Sequence, residues 1–289
     1  MALPRRLVVV VTALGLTATL LLPQARATAP TSARPAILDV TGWQVQSVAG
    51  RGAPTPKASD GIGPGSYVLI TRSDGTFICT ANFIWQGVST YLGAAGHCFL
   101  KPGESSLADG NSVSRVQVCV SNCFFGGQLG AVVRGTFATL GSVFYARQLD
   151  PRASDPKDIG HDFGLVTIPS ALFSKIRRTV PVWGGPSGSA SLGTGNPVCF
   201  YGNGVVAGET FATKARAGAG ELQRAGAWYA ALPGSPGDSG SGVVKCLSTA
   251  AIGILTHIVV GVPTGIAGTT VAQAIAMVAS DTGTTIGLA

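Results

Sequence analysis

The stretch that decides the fold of this chain runs Gly237-Asp238-Ser239-Gly240-Ser241-Gly242. Glycine near the serine on both sides permits a sharp turn, which can expose the Ser239 hydroxyl and aim backbone N–H groups at a substrate carbonyl. A serine in a glycine-rich turn is usually only a turn residue. The prediction of a nucleophile therefore depends on finding a base and a carboxylate elsewhere in the chain.

Two other motifs supply these groups. His97 lies in the stretch Ala94-Ala95-Gly96-His97-Cys98, and Asp162 begins the apolar run Asp162-Phe163-Gly164-Leu165. The chain order His, Asp, Ser differs from that of subtilisins and α/β-hydrolases. We predict Ser239 as the nucleophile, His97 as its base and Asp162 as the carboxylate that orients the imidazole. Asp158 is the rival carboxylate, but it lies in a polar stretch typical of a solvated loop.

The backbone of the serine turn has a predicted role of its own. The N–H groups of Gly237 and Ser239 are expected to form an oxyanion hole, in which one donor can contribute about 3–4 kcal/mol to transition-state binding. Asp238 is too close to Ser239 in sequence to orient His97. We expect Asp238 to fix the oxyanion loop through a buried ion pair or hydrogen bonds.

The N-terminus has the pattern of a secretory signal peptide over residues 1–27. Arg5 and Arg6 precede an apolar run from Leu7 to Leu22, and Ala25-Arg26-Ala27 forms a small-x-small cleavage site. An apolar run of roughly 16 residues is short for a bilayer that needs about 20. We therefore predict a secreted, extracellular protein with no membrane association after cleavage. Residues 28–64, rich in Pro, Ala, Ser and Gly, are predicted to be a pro-segment or N-terminal extension.

Composition limits the possible classes of protein. The chain has 289 residues, 46% of them hydrophobic and only 11% charged, which disfavours disorder. The formal net charge is +7, and removal of Arg5, Arg6 and Arg26 with the signal peptide reduces it to +4. The remaining basic residues are scattered without interleaved aromatics, so no nucleic-acid partner is predicted.

Short β-type runs separated by Gly/Pro turns predict an all-β fold of sandwich or barrel type. They fall into two sets on either side of a linker-like stretch at 183–186. The predicted strands are 66–71, 77–84, 114–120, 131–140, 142–146 and 163–168, followed by 197–201, 204–212, 227–231, 242–246 and 251–260. A helix is predicted over 270–279, with Val271, Ile275 and Val278 on one face.

Six cysteines in an exported chain indicate three disulfides, but spacing alone leaves their pairing open. A metal site is the competing interpretation of Cys119 and Cys123. No second cysteine or histidine pair lies near them to complete four ligands, so we predict neither a metal nor an organic cofactor.

The motifs around His97, Asp162 and Ser239 together resemble the trypsin/chymotrypsin-like serine proteases, in particular the bacterial secreted members. The resemblance covers residues 65–289. It implies two antiparallel six-stranded β-barrels, at about 65–180 and 187–289, with the triad in the cleft between them. It also implies three disulfides, namely Cys79–Cys98, Cys199–Cys246 and, by exclusion, Cys119–Cys123.

The chain departs from the family pattern in places that affect activation and specificity. Ser235 replaces the cysteine that usually precedes the nucleophile by four residues, and no Ile-Val-Gly-Gly start follows a basic residue. We therefore expect an internal arginine, rather than a new N-terminus, as the partner of Asp238. Counting back from Ser239 as in the family places the floor of the specificity pocket near Pro233, which disfavours cleavage after Lys or Arg.

The resemblance further places Thr256 and His257 on the strand that pairs with an extended peptide. A small or medium apolar side chain is expected at the cleavage point, with recognition of an acidic side chain by His257 as the alternative. The implied function is a secreted serine endopeptidase that acts on protein or peptide substrates as a monomer. The alternative is a secreted binding protein that keeps the protease fold without turnover.

Overall fold

The computed structural model describes residues 60–126, 132–149, 156–204, 214–259 and 265–289, all within one compact unit of the chain. The predicted signal peptide, most of the predicted extension and nearly all of the strand predicted over 204–212 lie outside the described residues. No helix in these ranges is both long enough and apolar enough to cross a bilayer.

A β-hairpin opens the described fold. Strands β1 (Tyr67–Arg72) and β2 (Gly75–Thr80) pair antiparallel, with Arg72 opposite Gly75 across the turn at Ser73-Asp74. They join β5 (Val113–Gly126) and β6 (Val132–Thr139) in a four-stranded sheet of order β2-β1-β5-β6. Val68 and Ile70 are fully buried on one face of β1, as the period-two side-chain pattern of a strand requires.

A second sheet in the same half brings two predicted site segments together. It has the order β15-β3-β4-β8-β7 and consists of β3 (Ile84–Gln86), β4 (Thr90–Ala94), β7 (Val143–Gln148), β8 (Asp162–Thr167) and the C-terminal β15 (Gly287–Leu288). Ala94 at the end of β4 pairs with Gly164 near the start of β8. The segment after β4 therefore lies beside the first residue of β8.

The C-terminal half forms the closed barrel. Its six strands run in the order β10-β11-β14-β13-β12-β9, with bounds β9 (Pro197–Tyr201), β10 (Ala215–Arg224), β11 (Ala227–Ala231), β12 (Gly242–Lys245), β13 (Ala251–Val259) and β14 (Gly265–Thr270). The all-β prediction with a six-stranded barrel is confirmed for this half.

In the N-terminal half, the described strands pair as sheets of four and five strands rather than as one closed six-stranded barrel. Two local features accompany this arrangement. The predicted strand 77–84 is interrupted after Thr80, because the Asn82 side chain accepts hydrogen bonds from Phe83 N and Trp85 Nε1 and turns the backbone. The short β15 adds a further strand at the edge of β3.

Two α-helices are described. Helix α1 (Pro156–Ile159) is a single turn, and helix α2 (Val271–Thr282) is the predicted C-terminal helix. The Thr270 side chain caps α2 by accepting a hydrogen bond from Gln273 N. Val271 and Val278 are buried as predicted, while Ile275 is partly buried against the core.

The three largest clusters of buried hydrophobic side chains are one within each half and one that spans both. The N-terminal cluster includes Val68, Leu92 and Phe99, and the barrel cluster includes Phe200 and Trp228. The third contains Trp85 and Phe163 of the N-terminal half, Ile254 of the barrel and the buried face of α2. Because this apolar cluster joins the halves, residues on β4, β8 and β13 can form one site.

Candidate active site

His97 lies in a 3-10 turn, Gly96–Cys98, that directly follows β4. Its neighbour Cys98 is disulfide-bonded to Cys79 on β2, and the Phe99 N–H closes the turn by donating to Gly96 O at 2.9 Å. The histidine is thus attached to its own sheet through β4 and to the β1–β2 hairpin through the disulfide. Such double attachment restricts the positions that the imidazole can reach.

Asp162 contacts His97 through both carboxylate oxygens. His97 Nδ1 lies 2.7 Å from Oδ2, and the His97 backbone N–H donates to Oδ1 at 3.1 Å. The carboxylate is fully buried, whereas the imidazole side chain is 27% exposed. An ionised Asp162 requires the proton on Nδ1, which leaves Nε2 as the acceptor. The structure brings Asp162, and not the rival Asp158, to His97.

The charges of this pair shift each other's protonation. Burial alone would lower the pKa of the His97 imidazole, but the charge of Asp162 and its hydrogen bond outweigh burial and hold that pKa above its usual value. Burial would likewise raise the pKa of Asp162. The adjacent imidazole outweighs that effect and holds the pKa of the carboxyl below its usual value. The pair therefore favours a carboxylate beside a histidine that accepts a proton readily.

The turn that carries Ser239 is fixed between the two halves. The Ser239 carbonyl accepts a hydrogen bond from Thr80 N on β2 at 2.9 Å, and the Gly240 N–H donates to Leu255 O on β13 at 2.7 Å. Gly240 has a φ of +95°, and a Cβ at this position would lie 2.2 Å from Thr80 O. A side chain is excluded there by both conformation and space. The chain therefore needs glycine immediately after the serine.

The backbone N–H groups of the turn divide into two sets. Those of Asp238, Gly240 and Ser241 donate to carbonyls of Ser235, Leu255 and Asp238, respectively. Within the described residues, the N–H groups of Gly237 and Ser239 have no hydrogen-bond partner. These two are the donors predicted for the oxyanion hole, and the turn leaves them available for a ligand.

His97 and Ser239 line the same cavity of about 370 Å³. Gly237, Thr256 and His257 also line it. Among the described residues, no hydrogen bond joins the Ser239 hydroxyl to the imidazole. In ligand-free sites such contacts are often long and shorten when substrate binds. A serine hydroxyl, an imidazole paired to a buried carboxylate and two amide N–H groups without partners among the described residues thus border one space.

Asp238 makes the buried ion pair that the sequence predicted without naming a partner. Its carboxylate, fully buried, binds the Arg216 guanidinium at 2.5 and 3.0 Å and accepts hydrogen bonds from Gly204 N at 2.7 Å and Ser235 N at 2.8 Å. Arg216 is 2% exposed on β10. A buried charge pair with its remaining lone pairs satisfied fixes the geometry of the segment that carries it. Here that segment is the turn that carries Ser239.

The predicted specificity residues lie around the same turn. The carbonyl of Pro233 accepts a hydrogen bond from Arg216 at 3.4 Å, and the same guanidinium is paired with the Asp238 carboxylate. Pro233 is not among the residues that line the cavity. Thr256 and His257 lie on β13, where Thr256 Oγ1 is 2.7 Å from His257 Nδ1. His161 lies away from this cavity's lining and contacts the carbonyl of Lys157 and the side chain of Gln273. His161 therefore connects α1 to α2.

Comparisons with known proteins give similarities in structure only. No protein-family model and no curated protein matches the chain. A thermostable serine protease from an extremophilic microorganism overlaps with a TM-score of 0.47 at 16% identity, covering 72% of this chain and 91% of its own. The protease Anisep from Arthrobacter nicotinovorans overlaps with a TM-score of 0.48 at 12% identity, covering 73% and 90%.

Thermobifida fusca protease A overlaps with a TM-score of 0.41 at 17% identity, covering 79% of this chain and 99% of its own. Overlaps this partial do not establish an activity or the role of any residue. What can be said of the site comes from its own contacts.

The cysteines pair as Cys79–Cys98, Cys119–Cys123 and Cys199–Cys246. In the described part of the chain, the only group of residues with metal-ligand geometry is Cys79, His97 and Cys98. Both sulfurs of this group are bonded to each other, so neither is a thiolate that could bind a metal.

Three residues that organise the site were not identified from the sequence. Arg216 is one, and the available signal was a cation within the run Ala215-Arg216-Ala217-Gly218-Ala219-Gly220. Thr80 donates its hydroxyl to Gly237 O at 2.8 Å and accepts from Asn203 N at 3.0 Å. The Thr269 hydroxyl accepts from Asp162 N at 3.1 Å and lies 2.9 Å from Asp162 O. Neither threonine has a motif around it, because its role depends on contacts across the fold.

Proposed function

We propose that this chain is a secreted serine endopeptidase. One observation carries the proposal: a buried carboxylate, Asp162, holds the imidazole of His97 at the wall of a cavity that Ser239 also lines. The unoccupied N–H groups of Gly237 and Ser239 in the same turn support it, because acyl transfer needs donors for a developing oxyanion. These contacts are expected around a nucleophilic serine and are not needed by a serine that only forms a turn.

In the proposed reaction, Ser239 Oγ attacks the carbonyl carbon of a peptide bond while Nε2 of His97 takes the hydroxyl proton. The resulting imidazolium is stabilised by Asp162, and the oxyanion binds the N–H groups of Gly237 and Ser239. Cleavage of the C–N bond then transfers the proton from Nε2 to the leaving amine and leaves an acyl-enzyme. A water molecule, deprotonated by His97, hydrolyses the ester and restores the serine.

We infer that the substrate is a protein or peptide with a neutral side chain at the cleavage point. The residue predicted at the pocket floor is Pro233, which offers no anion to bind a Lys or Arg side chain there. A small or medium apolar side chain fits this environment best. The backbone of β13 at Thr256 and His257 would pair with the extended substrate. The chain would act outside the cell as a monomer, after removal of residues 1–27.

Cleavage of a peptide library by the purified secreted protein tests this function. We expect cleavage after small or medium apolar residues by the wild-type protein and none by Ser239→Ala. Within the described residues the Ser239 hydroxyl has no hydrogen-bond partner, so this variant should fold and melt like the wild type. Binding of peptides without cleavage by the folded wild-type protein would instead support a non-catalytic binding protein.

A further inference from the structure

The Arg72 side chain reaches from the end of β1 to the turn that carries His97. Its Nη1 donates to His97 O at 3.1 Å and to Cys98 O at 3.4 Å, and it also contacts Leu100 O. A short 3-10 turn leaves its last carbonyls without backbone partners. One guanidinium nitrogen satisfies three carbonyls directly after the predicted base, and the arginine side chain is only 5% exposed.

The guanidinium is itself held in place by its own hairpin. Its Nε and Nη2 donate to the two carboxylate oxygens of Asp74 at 2.9 and 3.0 Å. Its Cζ lies 3.8 Å from the centroid of the Phe77 ring. A planar fork bound on one edge by a carboxylate and on one face by a ring loses little further freedom when it binds a third group. The hairpin therefore presents a preorganised donor to the turn.

The hairpin thus contacts the His97 turn in two independent ways. The Cys79–Cys98 disulfide joins β2 to the last residue of the turn covalently. Arg72 binds the carbonyls on either side of that bond from β1. The disulfide limits how far the turn can move, but free rotation of its peptide planes would still tilt the imidazole. Hydrogen bonds to consecutive carbonyls restrict that rotation.

We propose that Arg72 is a positioning residue for His97, orienting its turn and offsetting part of the attraction that Asp162 exerts on the imidazolium. This proposal rests on the proposed function, in which His97 is the base. Arg72 contacts no reacting atom and acts through the turn. Asp74 limits the influence of the Arg72 charge on the imidazole, because its carboxylate balances that charge.

Four groups determine the charge around the imidazole. Asp162 on β8 raises the pKa of His97, and the cation of Arg72 on β1 lowers it. Asp74 pairs with Arg72, and His257 on β13 acts on Asp162. Loss of the Arg72 charge should therefore raise the pKa of His97. Loss of the Asp74 charge should lower it, because the arginine is then unbalanced.

The test measures kcat and kcat/KM against pH for the full secreted chain and three variants. Arg72→Met should lower kcat roughly 10- to 100-fold with little change in KM, as expected for a misplaced base. It should also move the acid limb of the pH–rate profile, where activity rises as His97 loses its proton, to higher pH. Arg72→Lys should return the acid limb toward the wild type while kcat stays reduced, because lysine restores the charge without the planar fork. Asp74→Asn should move the limb to lower pH.

The matched control is Arg115→Met. Arg115 is exposed on β5 opposite Thr71, so the same charge is lost close to Arg72 without any contact to the His97 turn. We expect wild-type kcat and an unchanged acid limb. A shift equal to that of Arg72→Met would overturn the proposal, because it would show only a change in net charge.

A second readout keeps the proposal independent of activity. The chain has three histidines, so the imidazole of His97 can be followed by NMR titration in a Ser239→Ala background, with His161→Gln aiding assignment. We expect the pKa of His97 to rise in Arg72→Met and to fall in Asp74→Asn, even if no peptide is ever cleaved. Shifts in the same direction, or none in either variant, would overturn it. If Arg72→Met fails to fold, a lowered His97 pKa in Asp74→Asn together with a reduced kcat in Arg72→Lys supports the proposal, and the absence of both overturns it.

Discussion

The two halves of the molecule hold their parts of the site by different means. The C-terminal barrel is closed by hydrogen bonds and fixes the Ser239 turn from inside, through the buried Asp238–Arg216 ion pair. In the N-terminal half, the described strands form two sheets that hydrogen bonds do not close, and the His97 turn is attached across them by a disulfide. The turn that carries Ser239 is held by an ion pair, and the turn that carries His97 by a covalent bond.

This difference suggests where each part of the site can fail. An oxyanion turn needs fixed N–H directions, which a bidentate ion pair with no access to water can provide. A base needs a fixed ring with one nitrogen free, which the Asp162 hydrogen bonds provide once the turn is tethered. Substitutions in the barrel should therefore affect folding and the oxyanion together. Substitutions in the N-terminal sheets should affect proton transfer first.

Asp162→Asn should have the largest effect on catalysis of these changes. The amide favours the wrong imidazole tautomer at an almost unchanged geometry, so kcat should fall on the order of 10⁴-fold. Steady-state kinetics with a cleaved peptide measures it, and Asp158→Asn is the matched control. An equal loss in the control, or a loss below tenfold in Asp162→Asn, would contradict the assignment of the carboxylate.

Arg216→Met should have the largest effect on stability. It leaves the carboxylate of Asp238 buried without its counter-charge, which costs about 3–5 kcal/mol. Urea unfolding of an inactive Ser239→Ala background measures the loss without autolysis. The double variant Arg216→Met/Asp238→Asn should recover part of it. Failure of the double variant to recover any stability would mean that the arginine acts through packing alone.

The two disulfides of the N-terminal half should differ in their contribution. Cys79–Cys98 closes a separation of 19 residues and Cys119–Cys123 one of 4, so loss of the first should cost about 3 kcal/mol and loss of the second about 2 kcal/mol. Only the first should also reduce kcat, because only it borders His97. Paired alanine variants of each bridge, compared by unfolding and kinetics, measure both effects. A lower kcat in the variant that lacks only Cys119–Cys123 would contradict this difference between the two disulfides.

The pH dependence should be the smallest effect. His97 must be neutral to accept a proton, and Asp162 raises the pKa of His97 above its usual value near ~6.5. Activity should therefore rise with pH through that raised pKa. In Asp162→Asn the raising charge is gone while burial remains, so the limb should move to lower pH. A limb that moves upward in this variant would show that the titrating group is not His97.

Strands with a clear apolar pattern and a turn signal beside them were predicted from the sequence. The β1–β2 hairpin has Ser73-Asp74 at its turn and β-branched residues in β1, and β9 and β11 begin and end where the sequence predicted. Strands β10 and β14 were missed because β10 is rich in alanine and glycine and ends in polar residues, and β14 is mostly glycine and threonine. A Cβ at Gly268 would lie 1.8 Å from Ile254 O, so β14 needs small residues for close packing, and these lack an apolar periodicity.

The site residues likewise fall into those that the sequence predicted and those that it did not. His97, Asp162 and Ser239 could be proposed because each lies in a short motif with the required neighbours. Arg216, Arg72 and Thr80 could not, since each acts on a partner that is distant in sequence and only the fold brings them together. A polar residue in a strand of small or apolar residues was the available signal, and it does not identify the partner.

The most direct test of the central claim is labelling of Ser239 by a fluorophosphonate probe in the wild-type protein and in His97→Ala, with the labelled site located by mass spectrometry. If Ser239, His97 and Asp162 act as one unit, the wild-type serine will be labelled rapidly and the His97→Ala serine at least 10³-fold more slowly, on the order seen when a triad member is lost. Equal labelling rates in the two proteins, or no labelling of the folded wild type, would contradict the account.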